Sequence, residues 1–210
     1  MNRLSIAAPT TRLGTLTGAA VALWFLGALV SSLTGVFDTR NRPPLALASW
    51  AILPVLIFAF AYPGSLEFRR FVLSANPRLL TLAHTWRVAG ITFLILYYRG
   101  QLPAAFALPA GWGDIAIGIT APVIAFAMIR RKVPNPLLIA WNSLGLLDLA
   151  LAIMLGVLSS NGPLGILAHG VTTQIMGRFP LSLIPTFLVP LFIIFHVIVL
   201  AQIRQSDRQQ

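Results

Sequence analysis

Apolar residues run through this chain in long blocks, with the polar residues gathered between them. Neither the alternation of a half-buried strand nor the one-sided stripe of an amphipathic helix describes the blocks. Runs of about 20 apolar residues read instead as helices that cross a bilayer. Six are present, near residues 15–37, 44–62, 79–98, 112–129, 137–158 and 181–203. At ~1.5 Å per residue each can cross ~30 Å of hydrocarbon, the fourth with little to spare. The expected fold class is an all-α integral membrane protein, a bundle of about six transmembrane helices forming one polytopic domain over residues 1–210.

Composition strengthens that reading. Hydrophobic residues make up 57% of the chain and charged ones 10%, against about 25% charged in a soluble domain. Cysteine is absent, which excludes disulfides, thiolate catalysis, cysteine-held iron–sulfur clusters and covalent c-type haem. A net charge of +10 would suit nucleic acid, but the arginines come in small groups between apolar runs and form no continuous basic face. Nucleic acid is therefore not expected as a partner.

The charge distribution also predicts orientation. With both termini inside, Arg3, Arg12, Arg69, Arg70, Arg78, Arg130, Arg131, Lys132, Arg204 and Arg208 are cytoplasmic, and Arg40, Arg42, Arg99 and Arg178 are outside. The positive-inside rule then favours N-in, C-in. Arg3 and Arg12 before an apolar run also fit a signal peptide. The charge-free stretch Leu13–Phe37 exceeds a usual h-region and no small-residue cleavage site follows, so it reads as an uncleaved first span. The runs PLSLIPTFLVPLFIIFHVIVL and LPAGWGD resemble those of bacterial polytopic membrane proteins, which implies a bacterial-type plasma (inner) membrane.

Two connections are longer than turns. PGSLEFRRFVLSANPR, on the inner side, mixes apolar residues with arginines and suits contact with anionic lipid at the cytoplasmic face; a plain basic loop is the alternative. The outer segment 159–180 is half apolar and either caps the bundle or dips back into it. A faint parallel repeat links ILPVLIFAF to TAPVIAFAM, and WRVAG to WNSLG, which sets Arg87 beside Asn142. Chance similarity between apolar helices explains it equally well.

The polar residues inside the spans are the candidate chemistry. An ionisable group in hydrocarbon costs at least ~2.5–3.5 kcal/mol, so it should face inward and find a partner. Arg87 and Asn142 are expected ~8 Å from the inner ends of their spans, and His196 ~10 Å. Asp148 lies near the middle of the fifth span and is the natural counter-ion for Arg87, while Asp114 begins the fourth span in the turn PAGWGD. Together Arg87, Asn142, Asp148, His196 and Asp114 predict a polar cluster for a small solute or ion. Small residues share its faces, Asp114, Gly118, Ala121 and Ala125 on one helix and Trp141, Gly145, Asp148 and Ala152 on the next.

Binding or transport of a solute is the leading functional reading, with Arg87 attracting an anionic group and Asp148 or His196 exchanging a proton; six spans being few for a carrier, a homodimer would serve it. The alternatives are a b-type haem subunit with His84 and His196 as axial ligands, and a structural or partner-binding role in which Arg87 and Asp148 only fix helix register. An enzyme is not expected. Ser143, His196 and Asp148 supply triad residue types, but Ser143 points ~100° away from Asn142 around the helix. No catalytic residue and no metal-binding spacing is assigned.

Overall fold

The computed structural model describes residues 7–38, 44–130 and 133–207. Arg3, Arg40, Arg42, Arg131, Lys132 and Arg208, used above for orientation, lie outside the described residues. Among those described the structure is helical throughout, without strands, and six helices are long and apolar enough to cross a membrane.

The elements are α1 (Ala7–Leu33), α2 (Leu45–Gly64), α3 (Leu66–Leu73), α4 (Pro77–Ala83), α5 (Ile91–Tyr98), α6 (Ala104–Arg130), α7 (Asn135–Leu158) and α8 (Val189–Asp207). A 3₁₀ stretch, His84–Gly90, joins α4 to α5 into one continuous rod, and a π-helical turn, Ile184–Leu188, leads into α8. α6 is the centre of the bundle, packed along one side by α4, the 3₁₀ stretch and α5, and on another by α7, which in turn packs against α8. α2 rests on α8, and α1 touches α3 and the π-helical turn. Burial follows that order: 28–33% of the most apolar window is buried in the four inner rods, but 11% in α2 and 6% in α1.

The structure differs from the sequence reading in several places. α6 starts at Ala104, well before residue 112. Pro109, Gly111 and Gly113 look like turn residues, but packing overrides the signal. Ala107, Ala110 and Gly111 are buried, and Gly111 sits so close to α5 that a Cβ would lie 2.6 Å from Leu94 Cδ2. The third span is not a uniform α-helix. Residues 34–37, placed at the end of the first span, form a turn with Gly35 at φ +76°.

The connections have defined structure. α3 is capped by Ser65, whose Oγ accepts from Phe68 N at 3.2 Å, and its apolar face carries Val72 and Phe68 onto Phe58 and Ile198. Arg69 and Arg70 stay exposed. At the opposite end, the 159–180 segment folds across α5, α6 and α7. Thr173 Oγ1 donates to Gly156 O at 2.7 Å, Met176 packs on Phe106, and Arg178 pairs with Asp38 at 3.1 Å.

One hydrogen bond ties peripheral α1 to the bundle. The Thr186 carbonyl lies in the π-helical turn just before Pro190. Trp24 reaches across from α1 and donates its indole N–H to that oxygen at 3.0 Å, its ring tilted against Phe187. Trp24→Phe keeps the ring contact and removes the donor. We expect it to lower unfolding stability in detergent by ~1 kcal/mol; an unchanged unfolding midpoint would show that the carbonyl finds another donor.

Candidate functional site

The 3₁₀ stretch builds the site. At three residues per turn, positions i and i+3 eclipse, whereas an α-helix would drift between them. His84, Arg87 and Gly90 therefore form one straight row, and all three are buried against α6, α7 and α8. Trp86, one step away, is 75% exposed.

Arg87 is 3% exposed, midway along the rod from Pro77 to Tyr98. Its guanidinium is held from several sides. Nε donates to Asp114 Oδ1 at 2.7 Å, Nη2 pairs with Asp148 Oδ2, and Nη1 reaches Gly145 O at 3.3 Å. Nη1 also lies 3.3 Å from His196 Nε2. A guanidinium only donates, so His196 Nε2 is the acceptor and the ring proton sits on Nδ1. That Nδ1 lies 2.8 Å from Asn142 Oδ1, and Asn142 Nδ2 donates in turn to Leu138 O at 2.8 Å. The chain has one direction, from the arginine through histidine and asparagine to the α7 backbone.

Glycines let these short side chains reach. A Cβ at Gly90 would lie 2.5 Å from Asp114 Cβ, and one at Gly118 2.5 Å from Val88 N. At Gly113 it would meet the Asp148 carboxylate, and at Gly145 the His196 ring. Each would force a backbone or a cluster side chain to move.

All five sequence-derived candidates, Arg87, Asp114, Asn142, Asp148 and His196, thus meet at one place. Asp114 enters it because the early start of α6 carries it about 15 Å into the rod instead of leaving it at an end. The cluster consequently centres near mid-rod and not in the inner half. His84, an axial ligand in the haem reading, is 1% exposed and stacks on His196 with centroids 3.8 Å apart and planes 21° from parallel. Its eclipsed spacing from Arg87 would have been the signal, had the 3₁₀ turn been foreseen. Ser143 is exposed on the far side of α7 and Asn142 fully buried, so Ser143 does not adjoin His196. His169 is exposed in the 159–180 segment.

The haem reading can be tested on this geometry. Axial ligation needs two rings that point nitrogens at an iron from opposite faces of a macrocycle. His84 and His196 stack directly, and both nitrogens of His196 are engaged by Arg87 and Asn142. These residues do not fit a haem between them. Among the described residues no group of three or more His, Asp or Glu is arranged to hold a metal ion.

An apolar cleft of about 180 Å³ opens beside the cluster. Ala51 and Ile52 of α2, Ala152 and Gly156 of α7, and Pro185 and Val189 line it. Asn161 and Gln174 of the 159–180 segment and Asp114 of α6 line it as well. Among the described residues no hydrogen bond reaches Asp114 Oδ2 or Asp148 Oδ1, and both ring nitrogens of buried His84 are unpartnered; of these three residues Asp114 is the one that lines the cleft.

The chain belongs to a family described as a domain of unknown function, DUF8737, which matches residues 44–204. No curated protein and no solved structure matches it.

Two outcomes follow from the geometry. Arg87→Ala strands two carboxylates and should destabilise by ~3–5 kcal/mol; adding Asp148→Asn recovers part, and adding Asp114→Asn as well recovers more. A triple variant as unstable as Arg87→Ala alone would contradict the pairing. Protein purified in mild detergent should show no Soret absorption, oxidised or reduced; a Soret band lost in His196→Ala would overturn the argument against haem.

Proposed function

We propose that the chain is a single polytopic domain of a multi-pass integral membrane protein in a bacterial-type plasma membrane, with both ends cytoplasmic, and that its Arg87-centred cluster binds a small solute or ion during transport. The described arginines support the orientation: Arg12, Arg69, Arg70, Arg78, Arg130 and Arg204 gather at one end, Arg99 and Arg178 at the other. Arg69 and Arg70 on exposed α3 suit anionic headgroups at the cytoplasmic surface. A pair of copies would supply the bulk that six spans lack for a carrier.

One observation carries the reading. Two carboxylates, Asp114 and Asp148, share a single guanidinium, and one of them lines a cleft. A register pin needs one acid for one base. The second acid leaves a charge that a proton or a bound solute would balance, and the cleft gives that ligand a way in. The 3₁₀ stretch supplies a moving part, since a mid-helix 3₁₀ turn often marks a hinge. Arg87 itself is not free for an anion, its Nε, Nη1 and Nη2 all being engaged. The structural reading remains the competitor, favoured by that same saturation of Arg87.

The absence of cysteine makes the test clean. Ala152→Cys, in the cleft, should react with a membrane-impermeant thiol reagent added outside. Thr81→Cys sits toward the arginine-rich end and is 1% exposed; it should react from the cytoplasmic side in whatever fraction of molecules has opened inward. Reaction of both supports alternating access. Reaction of Ala152→Cys alone would leave a binding site without transport. Failure of both would leave only the structural role, and reversed sidedness would overturn the orientation.

A further inference from the structure

We infer that the cleft takes a compact organic cation, an ammonium group on an apolar body about one aromatic ring in size, with Asp114 as its counter-ion. The inference rests on the solute-site reading above and names the ligand class that the site would accept.

Charge comes first. Arg87 is the sole cation in ion-pair contact with Asp114 or Asp148 among the described residues. With both acids ionised the centre carries one negative charge in excess, since His196 accepts from Arg87 and stays neutral. The guanidinium is turned toward Gly145, His196 and the two acids, so it offers an incoming carboxylate nothing. What the cleft meets is the Asp114 carboxylate, whose Oδ1 accepts from Arg87 Nε and whose Oδ2 takes no hydrogen bond among the described residues.

The walls agree. Phe37, Phe93 and Phe106 line the cleft, and Phe93 and Phe106 form a tilted pair with centroids 5.4 Å apart. Aromatic faces stabilise a cation taken out of water, by ~0.5–2 kcal/mol or more when desolvated. The rest of the lining is aliphatic or small, except for Ser160, Asn161, Thr173 and Gln174 of the 159–180 segment. An anion would meet a like charge at Asp114. A neutral apolar molecule would fit the walls but leave the carboxylate unpaired, which is unfavourable in a desolvated site.

Size sets the body. A cavity of ~150 Å³ lined by aliphatic and aromatic side chains suffices for benzene, and this one is about 180 Å³. The space suits one ring and a short arm, and is too small for a long fused-ring dye. An ammonium on that arm can reach Asp114 while the ring lies among Ala51, Ala152 and Phe106.

The test uses the intact protein in lipid nanodiscs and three probes of one shape: 2-phenylethylammonium, 2-phenylethanol and 3-phenylpropionate. Equilibrium dialysis against protein-free nanodiscs should show saturable binding of the ammonium, at least tenfold tighter than of the alcohol or the carboxylate. Asp114→Asn should weaken it at least tenfold. Ala152→Leu, which fills the cleft and leaves every cluster residue in place, should weaken it similarly, and it decides the matter should Asp114→Asn fail to fold. Equal affinity for all three probes, unaltered binding in either variant, or no saturable binding of the ammonium would overturn the inference. Preference for 3-phenylpropionate would overturn the cation class while leaving a solute site intact, whereas silence of Ala152→Cys to the thiol reagent would remove the site itself.

Discussion

A guanidinium enclosed among apolar helices sets the terms for the rest of this structure. The charge of Arg87 cannot be neutralised by losing a proton, so the fold must bring acceptors to it. They come from three rods at once: Asp114 on α6, Asp148 and the Gly145 carbonyl on α7, His196 on α8. Each has a short reach, and the backbones must therefore come nearly into contact. Gly90, Gly113, Gly118 and Gly145 stand at those contacts, one set of omitted side chains for one buried charge. Packing around small residues is how helices associate where lipid offers no hydrophobic driving force. Here the same residues also satisfy the arginine.

The conformational departures fit the same constraint. An α-helical His84–Gly90 would spread its inward row around the rod, but the tighter turn keeps His84, Arg87 and Gly90 in line. The ring of His84 then covers His196, shielded by Trp141 and Phe192. In α8 the break lies elsewhere, at the π-helical turn before Pro190, where the Trp24 indole donates to Thr186 O.

Much of this was legible in the sequence, for reasons that also mark where legibility stopped. Six apolar runs sufficed for six rods, because length and hydropathy are what a bilayer selects. The meeting of Arg87 with Asp148 followed from the rarity of charge in such runs. Asp114 was misplaced because PAGWG carries turn residues, and their helical conformation depends on α5, a long-range fact that no local window contains. His84 was lost for a similar reason, its inward face being created by the 3₁₀ turn. The suggested parallel between WRVAG and WNSLG holds for Arg87 and Asn142, which both enter the network, and for Gly90 and Gly145, which both abut a cluster side chain. It fails at the tryptophans, Trp86 being exposed and Trp141 buried.

The division of the molecule bears on what the centre is for. Every cluster residue lies in the four inner rods and within residues 44–204, the stretch that the DUF8737 family covers, whereas α1 lies outside that stretch and is the least buried rod. The cleft is bounded differently. Phe37 comes from beyond the end of α1, and Ala51 and Ile52 from α2, so the outer rods wall the space that leads to Asp114. A centre built only to lock four rods together would gain nothing from a cavity against its second carboxylate, since an enclosed carboxylate with one partner fewer is a liability to stability. A centre built to exchange a ligand needs that liability, because the binding free energy of the ligand is the part of the electrostatic compensation that the fold leaves incomplete.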